Sequence, residues 1–360
     1  MKQISVVALC GLLLGLSCAV ADDDPMIDDK PLSELVKQLR SQNRGLQVRS
    51  AQALSAVPSN LYSRIIPMVM PVLKSEREND KFVAAQILGA YGPIARAAIP
   101  DLLPMLKGTQ YERNRAAAAK ALGLILRDAK PDKEVDEVTA ALIVAFGDGY
   151  EDVRRESVAA CGVIGPAAKA SISHLVPRLT QEQSGDAPNM VIVAAAGTCE
   201  RMGPLAKEHV DLLISLMHKF GGYGPCFVSA LGAIGPVQQN MVPNIVDAME
   251  KNEGWSDFRA QGFIALRRLG QKTEGAMSYT KRVLSQPPMP WDPGRMRVAT
   301  EAMKFVQMAG QDAKQCLPEI EKLAAYRVLG GDSPADAIAA SNAMREEAAK
   351  TVTLLKGSGK

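Results

Sequence analysis

Apolar residues recur at helical spacing in short stripes. Ile99, Leu102, Leu103 and Leu106 form one; Ile172, Leu175, Val176 and Leu179 a second; Val210, Leu213, Ile214 and Met217 a third; Val242, Ile245, Val246 and Met249 a fourth. Steps of three and four residues place each set on one face of a helix. Ahead of the stripes lie segments dominated by small residues, as at Ala116 to Ala119, Ala159-Ala160 and Ala194 to Ala196. These predict a first helix that approaches its neighbours closely. Between the two helices stands Gly-Pro. In 152–179, for example, Asp152 is placed to cap a first helix over Val153 to Ile164, and Gly165-Pro166 breaks it before the Ile172 stripe. Glycine adopts the positive-φ conformations that end a helix, and proline cannot continue one.

The unit repeats. Leu-Gly-Ala-Tyr-Gly-Pro begins at Leu88, Cys-Gly-Val-Ile-Gly-Pro at Cys161, Cys-Glu-Arg-Met-Gly-Pro at Cys199 and Leu-Gly-Ala-Ile-Gly-Pro at Leu231. Looser copies begin at Leu54, Leu122, Leu266 and Val306, so the eight anchors are 34, 34, 39, 38, 32, 35 and 40 residues apart. A period of this size predicts a solenoid of stacked helix pairs. One pair cannot bury its own apolar stripe, and the next pair covers it; each fully buried Leu or Ile contributes roughly 1.5–3 kcal/mol. A chain 47% hydrophobic but only 4% aromatic fits many thin interfaces better than one thick core.

Polar residues precede several anchors in register: Asn79 and Lys81, Asp152 and Arg154, Asp257 and Arg259, with Arg115 alone in its unit. Followed by alanines and Leu-Gly-x-Ile-Gly-Pro, this pattern resembles HEAT repeats, especially the bilin-lyase-like subtype, over roughly 47–329. The resemblance implies an all-α, right-handed superhelix of about eight helix pairs. It also implies Asp–Arg ladders between neighbouring units and second helices that line the concave side.

The ends read differently from the middle. Residues 1–21 have the form of a signal peptide, with Lys2 ahead of an apolar run from Ile4 to Leu16 and Ala19-Val20-Ala21 as a cleavage site. Cleavage after Ala21 implies export to the periplasm or beyond. A lipoprotein at Cys18 is disfavoured, because Gly15 stands where an aliphatic residue is wanted. The acidic leader 22–30 is expected to be disordered. Residues 31–356 then form a single solenoid domain. Its N-terminal cap is a lone helix in 31–41 and its C-terminal cap a helix over 334–356 that opens on Ser333-Pro334; 357–360 is a tail. No later run of 18 continuous apolar residues predicts a transmembrane segment.

Charge excludes one class of partner. The chain carries 42 Lys+Arg against 39 Asp+Glu. Loss of Lys2 leaves the exported form near neutral, without the one-signed stripe that nucleic acid requires. Catalytic and cofactor patterns are missing too. The three histidines, His174, His209 and His218, lack metal-ligand spacing; there is no His-Glu dipeptide, no Cys-x-x-Cys and no phosphate-binding loop. No catalytic residue, cofactor or metal is therefore assigned. Cys161 and Cys199 stand at anchor positions, which reads as buried apolar packing or, less simply, a disulfide between adjacent units.

What remains is surface. On the second helices, the register predicts that Asp101, His174, Asn244, Tyr279, Arg282 and Lys322 face outward and line a mixed-sign surface suited to a protein or peptide partner. A stiff insertion, 286–294, holds Trp291, which either anchors a partner or folds back over a poorly packed unit in which Thr280 and Lys281 replace apolar residues. The expectation is a non-enzymatic exported scaffold. The alternatives are a bilin-lyase-like enzyme or chaperone-type factor, and a structural module of a larger envelope assembly.

Overall fold

A computed structural model describes residues 24–107, 111–181, 188–286, 289, 292–326 and 335–357. Among them, helices follow one another in pairs. A short hairpin, β1 (Met26–Ile27) and β2 (Lys30–Pro31), leads into α1 (Leu32–Gln38). Eight pairs follow: α2 (Arg44–Ser55) with α3 (Tyr62–Val69), α4 (Glu78–Ala90) with α5 (Ile99–Lys107), α6 (Glu112–Ile125) with α7 (Lys133–Ala145), and α8 (Glu151–Ile164) with α9 (Leu175–Thr180). Then come α10 (Met190–Met202) with α11 (Val210–Phe220), α12 (Pro225–Ile234) with α13 (Met241–Lys251), α14 (Ser256–Leu269) with α15 (Glu274–Ser285), and α16 (Pro293–Ala309) with α17 (Leu317–Ala325). The long α18 (Ala335–Gly357) packs on both helices of the last pair. The architecture is an all-α, HEAT-like solenoid.

All eight anchors, Leu54, Leu88, Leu122, Cys161, Cys199, Leu231, Leu266 and Val306, are completely buried, one in each first helix. The break after them works as its residue types require. Gly165 and Gly203 have φ of 76° and 54°, and the chain continues as 3-10 turns, Gly165–His174 and Gly203–His209, into the second helix. Glu151–Thr180, long and apolar enough to cross a membrane by composition alone, is thus two helices of neighbouring layers bent at Gly165, more than half buried between units.

The first helices stack directly on one another. A Cβ built on Gly123 would stand 2.7 Å from Ala160 Cα, and one on Gly232 2.7 Å from Ala265 Cα. Second helices pack less closely on one another. Polar ties between units run close to the expected ladder but through shifted residues. Gln47 Nε2 donates to buried Asp80 (2.8 Å), Asn114 to Glu78, Arg115 Nε to Asp148 (2.7 Å) and Arg297 Nη1 to Asp257 (2.7 Å). Lys81 instead pairs within its own helix with Glu78, and Arg154 reaches the carbonyls of Asp148 and Gly149.

Four expectations are corrected. The leader is ordered from Asp24 onward: its carboxylate accepts the Ser33 amide (3.0 Å) and hydroxyl, satisfying the open first turn of α1. Asp152 does not cap α8, which begins one residue earlier after Tyr150; Asp152 pairs with Arg155 instead, at 2.8 Å. Val176 is 40% exposed, because α9 is a helix of six residues with Leu175 and Leu179 on its buried side. Thr280 is fully buried despite its polarity, since its hydroxyl donates to the Ala276 carbonyl at 2.6 Å. Residues 1–21, Ser333, Pro334 and the tail beyond Gly357 lie outside the described residues.

Candidate functional site

Which layer faces inward follows from spacing. An array whose first helices sit closer together than its second helices bends toward the first. One contact shows the bend directly. Arg268 Nη1 of α14 lies 3.3 Å from Glu200 Oε1 of α10, so two side chains meet over the intervening α12. Helices two units apart can touch in this way only across an inward-curving face. The concave surface is therefore built from the first helices, and the expectation that the second helices line it is corrected here.

Beneath the Glu200–Arg268 bridge lies a trough of about 610 Å³, bounded by Glu200, Arg201, Gly232, Ala233 and Arg268. Its floor is low because α12 presents only Gly232 and Ala233 at this level. Its walls are charged because the repeat departs from its own pattern on both sides. The residue after the anchor is Gly89, Gly123, Gly162 or Gly232 in four units, but Glu200 in α10 and Arg267 in α14. A glycine there lets the next helix approach; in α10 and α14 a charged side chain stands in its place. Arg267 pairs with Glu301 (3.0 Å), which also holds Lys304 (2.8 Å). Arg201 is exposed and makes no hydrogen bond or ion pair with any described residue. The trough can therefore receive an anionic group.

The residues expected to form a site are scattered over the other layer. Asp101, half-buried on α5, pairs with Lys74 at 3.2 Å. His174 is exposed at the end of the turn before α9, and Lys322 is exposed on α17. Asn244 accepts from His218 Nε2 (3.0 Å) and donates to the Asn240 carbonyl (2.8 Å), which fixes it within the α11–α13 contact. Arg282 is exposed and paired with Glu250 at 2.8 Å. Tyr279 does not face outward: only 2% of it is exposed. The buried stripe of α15 is wide, taking in Ala276, Met277, Tyr279, Thr280, Val283 and Leu284, and the buried Arg259 needs the tyrosine oxygen as acceptor, at 3.0 Å. Of the six, only Tyr279 and Arg282 meet, with the guanidinium 5.1 Å from the ring. Trp291 lies outside the described residues.

Two further features escaped the sequence reading. Trp255 and Tyr223, both partly exposed, stand with ring centroids 4.4 Å apart at the turn edge of the solenoid. Tyr111 and Tyr150 are exposed on the same kind of turn, each just ahead of a first helix. The cysteines, by contrast, are packing groups. Cys161 and Cys199 are buried free thiols, and burial pushes both up to about 12. Cys226 and Cys316 are also free, raised by burial to about 12 and about 11. Burial thus keeps these thiols protonated at neutral pH, as packing groups rather than thiolates.

No protein-family model matches the chain, and no curated protein matches it. Solved structures do. Importin beta is similar at 14% identity with a TM-score of 0.58, over 89% of this chain and 47% of importin beta, so the chain spans about half of that structure. The complex of CpcE and CpcF of phycocyanin lyase from Nostoc sp. PCC7120 matches at 21% identity and a TM-score of 0.42, over 72% of this chain and 94% of that one. The likeness to importin beta establishes the HEAT-repeat α-solenoid fold.

Proposed function

We propose that this chain is a non-enzymatic, exported scaffold that receives a protein partner on the concave face of its first helices. The observation that carries this reading is the trough between α10 and α14: the repeat holds its close-packed pattern on α12 and breaks it on both flanks, where charged side chains stand free of the core. A stacked array must bury its anchors but has no packing use for Arg201. The thiols, held protonated by burial, support the non-enzymatic part. Export rests on the pattern of residues 1–21.

The test is capture. The tagged chain is crosslinked in cells of its source after fractionation into cytoplasmic and exported material, and partners are identified by mass spectrometry. One exported protein, enriched and lost on reversing the charge of the concave face with Arg201→Glu and Arg268→Glu, is the expected result. Recovery of the chain in the cytoplasm, or of the same partner regardless of those substitutions, overturns the export and the concave-face parts respectively.

A further inference from the structure

We propose that the trough is an acidic-peptide site held in a self-occupied state: Arg201 and Arg268 clasp a carboxylate of the partner, and Glu200 takes that carboxylate's place on Arg268 until the partner arrives. This deepens the scaffold reading and rests on it for the partner being a protein.

Three observations support this inference. The first is stoichiometry. Arg201 and Arg268 flank one trough, and a single internal carboxylate, Glu200, serves only Arg268. An incoming carboxylate that bridges the two guanidinium groups satisfies both, and guanidinium forks match carboxylate oxygens in pairs. The second is exchangeability. The side chains of Arg268 and Glu200 are 46% and 36% exposed, so their bridge is well solvated and contributes little that a competitor must overcome. The third is placement. Glu200 and Arg201 form the Cys-Glu-Arg-Met-Gly-Pro departure from the repeat, Arg267 and Arg268 form the matching departure two units on, and the copy between keeps Gly232-Ala233. The two departures face each other over the unit that stays small.

The arrangement makes an asymmetric prediction. Removing Glu200 strengthens binding, whereas removing either arginine weakens it. The experiment titrates residues 22–360 against a fluorescein-labelled alanine–glutamate decapeptide and follows anisotropy, with an alanine–lysine decapeptide as control. Glu200→Gln is expected to tighten binding about three- to tenfold, and Arg201→Gln and Arg268→Gln to weaken it by at least as much. The lysine peptide is expected not to bind. A gain in Glu200→Gln cannot come from misfolding, so that variant keeps the test sound if an arginine variant is unstable. Equal affinity of all three variants and the parent overturns the proposal. So does displacement of the peptide by inorganic phosphate as complete as by unlabelled peptide at constant ionic strength, which assigns the trough to free anions instead. The scaffold reading fails separately: peptide binding with the expected asymmetry but no captured protein in cells leaves the site standing without it.

Discussion

At the residue scale, small side chains decide more than large ones. Gly123 is held so close to Ala160 that an added methyl would meet backbone at 2.7 Å, whereas around Gly197, on the same face of α10 as Glu200 and Arg201, nothing lies within 4 Å. Gly123→Ala is therefore expected to destabilise the protein by about 1–3 kcal/mol, through forced separation of α6 and α8. Gly197→Ala is expected to stabilise it by about 0.5–1 kcal/mol, through helix propensity alone. Urea midpoints of the two variants check this; equal shifts would refute the close-approach account. The buried thiols give a pH signature. Their folded pKa values, about 12 for Cys161 and Cys199, lie above the ordinary 9.0. The stability they contribute is complete below about pH 9 and falls as pH rises toward 12, because only the unfolded thiols ionise in that window. Unfolding midpoints measured between pH 8 and pH 10.5 are expected to decline, and less so in a Cys161→Ala, Cys199→Ala double variant. The anchors and glycines were legible in the sequence because close packing leaves a periodic residue-type signature. Glu200-Arg201 was equally visible, as an aberrant copy, but nothing in a single repeat says which of its faces will look inward.

At the element scale, units are joined by apolar stripes and by a few well-made polar ties. Arg115 donates to both oxygens of Asp148, at 2.7 and 3.0 Å, with 14% and 13% of the two side chains exposed, tying α6 to the turn before α8. Burial pushes the Asp148 carboxyl up, but the Arg115 hydrogen bond, the Tyr150 amide and the nearby Arg115 and Arg154 charges outweigh it and hold it below the usual carboxylate range. Its contribution is present above the unfolded carboxylate pKa and lost as pH falls through the folded one. Arg115→Ala is expected to cost about 1–3 kcal/mol at neutral pH, since it strands a half-buried carboxylate. Asp148→Asn is expected to flatten the acid limb of stability; an unchanged slope between pH 5 and pH 2 in urea unfolding would exclude this linkage. The existence of these ties was readable from the polar residues ahead of the anchors. Their partners were not, because each helix is rotated by its own start: α8 begins after Tyr150, so Asp148 and not Asp152 meets Arg115. Tyr279 was misplaced for a related reason, as the wide buried stripe of α15 serves the buried Arg259.

At the scale of the whole molecule, contacts are between neighbours. Tyr91 reaches the Leu54 carbonyl 37 residues back, and Gln307 bonds Glu347 and Thr351, 40 and 44 residues on. An array of this kind loses stability locally when an end is uncovered. Deleting 327–360, and with it buried Met344, Ala348 and Leu355, is expected to abolish amide protection in α16 and α17 while leaving α4 to α8 nearly as protected as before. Hydrogen exchange with mass spectrometry reads this out, and a uniform loss along the chain would contradict it. The solenoid itself was legible from the period. Its direction of curvature was not, because it depends on a difference in spacing between two layers, and the period is common to both.

That neighbour-only wiring has a kinetic consequence. Each unit finds its contacts within roughly one period of chain, so ordering can advance as a zipper from any nucleated pair, with loops of similar length to close at every step. The Arg268–Glu200 bridge is different, since it spans 68 residues and needs α10, α12 and α14 in place before it can form. It is a clock for assembly: in a refolding experiment, its closure should lag helix formation and mark the moment when three consecutive units have locked.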